Sequence, residues 1–219
     1  MNGTVDWDTY TAQLVASRGA TATDDKRLRS LARGRVLDAG CGIGLHLSRL
    51  MGPNISTLIG VDVGMPGLLH GKGQSSNGIF IAANLCQLPF RDNEFDFVYS
   101  IDVIEHIYNP TLALQEYHRV CRPGCLAFIQ TPIYPIKRVY DLWHWIRRSK
   151  KCLADDPTHV SPLNSFALKR MAMEVGFEIV SMSARNIAFD WVLPRPNSLR
   201  STWVGHCFGQ KIILVAQKR

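Results

Sequence analysis

A glycine-rich loop that begins with an acid is the part of the sequence best suited to binding a ligand. It is Asp38-Ala-Gly40-Cys-Gly42-Ile-Gly44, and it follows the apolar run that ends in Val-Leu. Glycines are needed where a ligand touches the main chain or where φ is positive. A dinucleotide fingerprint would need a third glycine at the position of Leu45, and Asp38 would repel a pyrophosphate. The loop therefore disfavours NAD and favours a nucleoside ligand whose amino group donates hydrogen bonds to Asp38.

A second acid supports the same kind of site. Asp62 ends the apolar run Thr57-Leu-Ile-Gly-Val-Asp62, about eighteen residues beyond Gly44. A carboxylate at the end of a second strand can accept hydrogen bonds from both ribose hydroxyls of a nucleoside. Either aspartate alone is as readily a helix cap or a turn residue. The register of both acids with the glycine loop favours the binding role.

Candidate proton acceptors follow in Ser100-Ile-Asp102-Val-Ile-Glu-His106. Asp102 and His106 are four residues apart, so they share a face if a helical turn follows the strand. An imidazole with its ordinary pKa of about 6.5 suits a general base. The alternative is that His106 only packs in the ligand site. His159 is a second candidate, either as a base or as a residue that binds the substrate.

The sequence predicts no metal site. The six cysteines form no zinc-ligand spacing, and they are predicted to be reduced thiols in the core or near the site. His144 and His159 could share a metal ion only if the fold happened to bring them together.

The elements that must position these residues alternate between short apolar runs and helices, a pattern typical of a doubly wound α/β sheet. Five strands are predicted at Arg35–Ala39, Thr57–Asp62, Ile79–Ala83, Phe95–Asp102 and Cys125–Gln130. Helices are predicted at Leu45–Met51, at Pro110–Val120 and, capped by Asn164, up to Val175. Two late strands, Phe177–Val180 and Ile212–Ala216, have no predicted crossover helix between them, so we expect them to pair antiparallel.

The length of 219 residues suits one domain with a sizeable core. Residues 1–33 are predicted to be a helical extension or lid without strands. Residues 34–219 would form the ligand-binding domain, with residues 132–162 inserted as the site for a second substrate.

The composition is that of a globular protein, with a net charge of +7 that favours anionic ligands or surroundings. No apolar run approaches the roughly 20 residues needed to span a bilayer. The first ten residues lack the basic and apolar regions of a secretory signal. The sequence therefore predicts a cytoplasmic protein.

Taken in order, these motifs resemble those of class I S-adenosylmethionine-dependent methyltransferases. The resemblance is to the broad small-molecule group that includes the quinone-biosynthesis methyltransferases, and it covers about residues 34–219. It rests on Val36–Gly44, Gly60–Asp62, Leu88–Phe90, Phe95–Phe97, Arg119–Gly124, Asp156–His159 and Gly176–Phe177.

The resemblance implies a Rossmann-like sheet of seven strands in the order 3-2-1-4-5-7-6, with strand 7 antiparallel. It also implies S-adenosylmethionine as cofactor, with Asp38 orienting the methionine part and Asp62 the ribose. Asn84 stands where the family commonly has an acid that contacts adenine, but its amide oxygen can also accept a hydrogen bond. The full set of implied cofactor contacts is Asp38, Gly40, Cys41, Gly42, Gly44, Asp62, Val63, Asn84, Leu85 and Asp102.

A basic and aromatic segment, residues 136–151, lies where the family builds its acceptor sites. One interpretation is an amphipathic helix that covers the site. Another is a helix at the surface of an anionic membrane, with its tryptophans and cations in the interface. Nucleic-acid binding is less favoured, because the segment is short. Trp191 and Trp203 could complete an apolar pocket, which would suit a small or lipid-like acceptor.

The predicted activity is transfer of a methyl group from S-adenosylmethionine to oxygen, nitrogen or carbon of a small or amphiphilic acceptor. The sulfonium is already a strong electrophile, so alignment of the acceptor can supply most of the catalysis. A base is needed only where the acceptor must lose a proton. The alternatives are a catalytically silent module that serves a protein partner and, less favoured, an NAD-dependent oxidoreductase. The oligomeric state is left open.

Overall fold

The chain is described by a computed structural model that covers residues 6–10, 12, 25–50, 52–74, 78–134, 158–187 and 209–219. Within these residues the strands are β1 Gly34–Ala39, β2 Ile55–Asp62, β3 Ile79–Ala82, β4 Phe95–Ile101, β5 Cys121–Pro132, β6 Phe177–Ile187 and β7 Gly209–Lys218. The helices are α1 Asp25–Leu31, α2 Leu45–Leu50, α3 Met65–Gln74, α4 Pro110–Val120 and α5 Ser165–Glu174, with a 3₁₀ turn at Ile104–His106.

The seven strands form one sheet in the order β3-β2-β1-β4-β5-β7-β6. The pairs β1–β2, β2–β3, β1–β4 and β4–β5 are parallel. Strand β7 runs antiparallel to both of its neighbours, β5 and β6. The predicted fold class, strand order and reversed late pair are all confirmed.

The two faces of the sheet carry separate apolar clusters, because side chains alternate along each strand. Leu37 of β1 packs in the cluster that includes residues of α4 and α5. Its neighbour Val36 packs on the other face, together with Leu28 of α1 and Leu47 of α2. Helices on both faces are what the doubly wound pattern predicts.

Helix α1 falls inside the predicted N-terminal extension, yet its residue Leu28 is fully buried in one of the core clusters. Residues 7–10 are also helical, and the described residues before Gly34 contain no strand. The role of residues 1–33 as a lid stays a prediction. Among the described residues, no helix is both long and apolar enough to cross a membrane.

The predicted Asn164 cap of α5 is confirmed, and α4 has an asparagine cap in addition to its predicted start at Pro110. The Asn109 side chain accepts from the amide of Leu112 at the start of α4, and the Asn164 side chain accepts from that of Ala167 at the start of α5. Gly176 follows α5 with a φ of +103°, a conformation that glycine adopts without steric cost.

Strand β5 begins earlier than predicted. Arg122-Pro-Gly124 suggested a break before a strand at Cys125, whereas β5 already pairs with β4 through Cys121 and Phe95. A register shift between Phe95 and Phe97 absorbs the extra residues. The irregular pairing accommodates a proline and a glycine that a regular ladder would not.

Candidate functional site

A cavity of about 700 Å³ lies at the carboxyl ends of β1, β2, β3 and β4. Doubly wound sheets bind ligands at this edge, beside the point where the strand order reverses. Here the reversal falls between β1 and β4. The lining includes eight of the predicted cofactor residues, namely Gly40, Cys41, Gly42, Asp62, Val63, Asn84, Leu85 and Asp102.

The glycine loop is tied to the end of β2. The amides of Gly40 and Cys41 both donate to the carbonyl of Val61, at 2.8 and 3.0 Å. Gly42 has a φ of +51°, and a Cβ there would have no atom within 4 Å, so it would point into open space. The loop therefore presents bare main chain to the cavity at Gly42, which suits close contact with a ligand.

Asp62 holds the loop and faces the cavity at the same time. Its Oδ2 accepts from the amide of Gly42 at 2.8 Å, and its Oδ1 accepts from the amide of Gly64 at 2.9 Å. An ionised carboxylate has about four acceptor sites, so these two bonds leave capacity for hydroxyl donors. The geometry is compatible with the predicted ribose contact.

Asp38 lies behind the loop and is not part of the cavity lining. Its side chain is 2% exposed. Burial is the main cause that raises the pKa of this carboxyl, a hydrogen bond from Tyr99 opposes the rise, and the nearby charge of Asp62 adds to it, so that the pKa is about 8. Gly44 is likewise outside the lining, and the ring of Phe80 occupies the space that a Cβ at Gly44 would need. Direct cofactor contacts by Asp38 and Gly44 stay predictions.

The predicted adenine side of the site begins with Asn84. The Oδ1 of Asn84 accepts from the amide of Cys86 at 2.9 Å, which closes a tight turn after β3. This oxygen has a second lone pair for a ligand donor. Leu85 and Val63 also line the cavity.

Asp102 follows β4 with a φ of +55°, which is uncommon for a residue other than glycine. Its amide donates to the carbonyl of Gln130, and its Oδ2 accepts from Nζ of Lys211 on β7 in an ion pair. The catalytic role predicted for Asp102 stays a prediction.

The two predicted histidines meet at the cavity wall. The ring centroids of His106 and His159 lie 4.6 Å apart. The Nδ1 of His106 lies 3.0 Å from the carbonyl oxygen and 2.9 Å from the hydroxyl of Thr158, while Tyr134 shares a hydrogen bond with Nδ1 of His159. His106 lines the cavity, and His159 packs against His106 without being part of the lining.

Three further residues near the histidines were missed by sequence reasoning. Trp7 and Tyr10 line the cavity, with ring centroids 5.6 and 6.0 Å from that of His106. Glu105 is fully buried behind His106, and burial raises the pKa of its carboxyl to about 8. The aromatic pair Trp7 and Tyr10 was a visible signal, but nothing local in the sequence connects it to a site a hundred residues later.

Much of the predicted second-substrate site lies outside the described residues. These parts are the segment 136–151, His144, Trp191 and Trp203. Of the cysteines, Cys41, Cys86, Cys121 and Cys125 are described, and all four are free thiols as predicted.

Fold and site together define a class I methyltransferase domain of the S-adenosylmethionine-dependent type. The sequence profile of the methyltransferase domain family matches residues 15–182, which is more than half of the chain. The chain belongs to this family. S-adenosylmethionine is therefore the cofactor that both family and fold indicate, as the motifs predicted.

Known proteins support this class. The chain is 30% identical over 169 residues to a tRNA U34 carboxymethyltransferase of Hydrogenovibrio crunogenus, which covers 61% of this chain and 50% of that protein. It is 34% identical over 100 residues to cycloartenol-C-24-methyltransferase 1 of Oryza sativa, covering 42% and 29%. A TehB-like methyltransferase structure from Corynebacterium glutamicum matches with a TM-score of 0.65 at 17% identity, covering 97% and 98%, and shows the fold.

The chain spans half or less of the length of these two curated relatives. The narrower resemblance to quinone-biosynthesis methyltransferases stays a prediction. The comparisons do not favour the alternative of a silent partner-binding module, and the third alternative, an NAD-dependent oxidoreductase, does not fit the family.

Proposed function

We propose that this chain transfers the methyl group of S-adenosylmethionine to a small or amphiphilic acceptor. The observation that carries the proposal is the cavity itself, which joins the glycine loop and Asp62 to an aromatic wall of Trp7 and Tyr10. One end offers main chain and a carboxylate, as a nucleoside requires. The other end offers apolar and imidazole surface, as an acceptor molecule requires.

In this arrangement the cofactor lies along the glycine loop. Asp62 receives the ribose hydroxyls, and Asn84 with Leu85 faces the adenine. Asp38, behind the loop, acts on the cofactor's ammonium group through the field of its carboxyl, because a nearby cation favours the ionised form.

The acceptor would lie between the cofactor and the wall formed by Trp7, Tyr10 and His106. An apolar molecule gains free energy by burying surface against these rings. The tRNA and cycloartenol named for the two relatives differ greatly in chemistry. The aromatic wall favours the sterol-like, amphiphilic end of that range.

The methyl group would move by in-line displacement, with the acceptor atom forming a bond to carbon as the carbon–sulfur bond breaks. The protein mainly has to hold the two reactants in line. For a hydroxyl acceptor, His106 or His159 would be the group placed to take the proton.

The first test is calorimetric titration of S-adenosylmethionine into the purified chain, with NAD as a control ligand. Gly42→Val places a branched side chain in the cavity at a positive φ, so we expect micromolar binding to be lost. Gly124→Val is the matched control, because Gly124 also has a positive φ, of +84°, and no atom near its Cβ position, but it lies on β5 and does not line the cavity.

No binding of S-adenosylmethionine at millimolar concentration would contradict the proposal. If binding is found, transfer of labelled methyl groups to a panel of acceptors follows, with sterols and other amphiphiles tested first. A silent module would bind cofactor but label none of the panel and none of a cell extract.

Contact with an anionic membrane through residues 136–151 is a separate part of the proposal. It rests on the tryptophans and cations of that segment in the sequence. Co-sedimentation with vesicles that contain anionic lipid tests it, with neutral vesicles as the control. Absence of binding to anionic vesicles at low salt would contradict it.

A further inference from the structure

Three side chains of the kind that bind metal ions lie together where His106 forms the wall of the cavity. They are Glu105, His106 and His159, and their ligand atoms all lie within 4.8 Å of one another. Glu105 and His106 belong to the 3₁₀ turn after β4, whereas His159 comes from the segment that precedes α5. The turn and that segment are tied together by the amide of Ser161, which donates to the carbonyl of Glu105 at 2.9 Å.

Hydrogen bonds at one nitrogen orient both imidazole rings. Nδ1 of His106 is held by the carbonyl and hydroxyl of Thr158, and Nδ1 of His159 is held by the hydroxyl of Tyr134. Metal-binding histidines typically have this arrangement, in which a carbonyl or hydroxyl engages the nitrogen that does not bind the metal. In such an arrangement Nε2 would be the ligand atom of each ring.

Glu105 has a carboxylate oxygen that needs a partner. Its Oε2 accepts from the hydroxyl of Thr131 at 2.8 Å, but Oε1 is buried without a hydrogen-bond partner among the residues that the structure describes. A buried acceptor left unsatisfied costs about 1–3 kcal/mol. The nearby Lys211 is engaged by Asp102, in the ion pair across the end of β4. A bound cation would satisfy Oε1.

We propose that Glu105, His106 and His159 bind one divalent transition-metal ion at the acceptor end of the cavity. Two imidazole nitrogens and one carboxylate oxygen suit zinc, iron or manganese, and magnesium and calcium prefer oxygen ligands alone. Three protein ligands leave coordination positions open, which is typical of catalytic metal sites. To form metal–ligand bonds of about 2.0–2.2 Å, the three ligand atoms would have to move only about 1 Å closer to one another.

The site has a consequence for the substrate class, and this step rests on the proposed function. An acceptor hydroxyl at the open position would bind the metal through oxygen and lose its proton to solvent more readily. An oxygen lone pair then forms the bond to the methyl carbon, the carbon–sulfur bond breaks, and sulfur keeps that electron pair. The metal thus favours an oxygen acceptor. In the metal-bound chain the nitrogens of His106 and His159 bind the ion, so the proton passes to solvent and these histidines act as bases only in a chain without metal.

The test is titration of Co²⁺ into chelator-treated protein without S-adenosylmethionine, followed by visible absorbance and by metal analysis. We expect one Co²⁺ per chain. Glu105→Gln keeps the shape and the Thr131 bond but removes the charge, and His159→Ala removes a ligand from a less buried position. Each should weaken Co²⁺ binding at least tenfold. His70→Ala on α3, away from the cavity, is the matched control and should not change it.

Circular dichroism establishes that each variant is folded, and His159→Ala alone is decisive if Glu105→Gln does not fold. Absence of Co²⁺ binding by the folded wild-type chain, or equal binding by wild type and His159→Ala, would overturn the metal site. Cofactor calorimetry separates this from the proposed function. Cofactor binding without metal binding overturns only the metal site, and metal binding without cofactor binding overturns only the methyltransferase proposal.

Discussion

At the scale of single residues, Asp38 and Asp62 each belong to the end of a strand but have opposite surroundings. Asp62 accepts two backbone amides and borders the cavity. Asp38 is buried, and desolvation raises the pKa of its carboxyl to about 8. The two aspartates therefore differ in role. Asp62 offers hydrogen-bond acceptors at the cavity surface, whereas Asp38 is a buried carboxyl whose ionisation depends on a cation bound at the glycine loop.

The raised pKa of Asp38 gives a prediction about stability and pH. The folded chain binds this proton more tightly than the unfolded chain, whose aspartates have a pKa of about 3.9. Between pH of about 4 and 8 the folded state therefore holds more protons, so the free energy of unfolding falls as pH rises, by about 1.4 kcal/mol per pH unit for such a group.

Urea unfolding of the ligand-free chain between pH 5 and pH 8 measures this slope. Asp38→Asn cannot titrate and should show a smaller decline, while Glu105, which also has a raised pKa, still contributes. Asp92→Asn, at an exposed position, is the control and should keep the wild-type slope. An unchanged slope in Asp38→Asn would show that Asp38 is ionised throughout this range.

At the scale of elements, Arg119 of α4 fastens the segment between β3 and β4. Its guanidinium donates to the carbonyls of Leu88 and Phe90 and to the carboxylates of Asp92 and Glu116. Glu116 in turn accepts from the amide of Leu88 at 2.7 Å. Arg119 is the first residue of the motif Arg119–Gly124, which resembles the turn before the fifth strand in the methyltransferase family. In this structure its side chain holds the segment between β3 and β4 in place.

We expect Arg119→Lys to lower the free energy of unfolding by about 1–3 kcal/mol, because one ammonium cannot replace the fork of donors. Urea denaturation measures the change. Arg170→Lys is the matched control, since Arg170 makes an exposed pair with Glu174 on α5, and its effect should stay within about 0.5 kcal/mol. Equal effects of the two substitutions would mean that the network around Arg119 adds little stability.

At the scale of the whole molecule, residues near the N-terminus contact segments that lie much later in the sequence, beside the cavity. Trp7 and Tyr10 lie against His106, and the carboxylate of Asp8 accepts from the amide of Met65 at the start of α3. The cavity therefore has walls from both the sheet edge and the N-terminal region.

Trp7→Ala should raise the KM for an apolar acceptor about tenfold, because an aromatic contact contributes about 1.4 kcal/mol. The Kd for S-adenosylmethionine, measured by calorimetry, should change much less. Trp7→Phe retains an aromatic ring and serves as the control. A parallel loss of cofactor affinity would show that Trp7 covers the cofactor and not the acceptor.

The sequence by itself determined the reversed late strands, the cap of α5 and the place of the glycine loop and Asp62 beside the cavity. These features depend on signals that are close together in the chain, such as strand periodicity, the spacing of Gly40, Gly42 and Asp62, and a capping asparagine. The order of the seven strands followed from the resemblance of the motifs to a known family, and the structure confirms it. Only the tertiary structure decided that His106 meets His159, that Glu105 lies buried behind them and that Trp7 lines the same cavity. These contacts join segments far apart in the chain. The free energy of each contact depends on burial and packing in the folded molecule, which no local sequence pattern encodes.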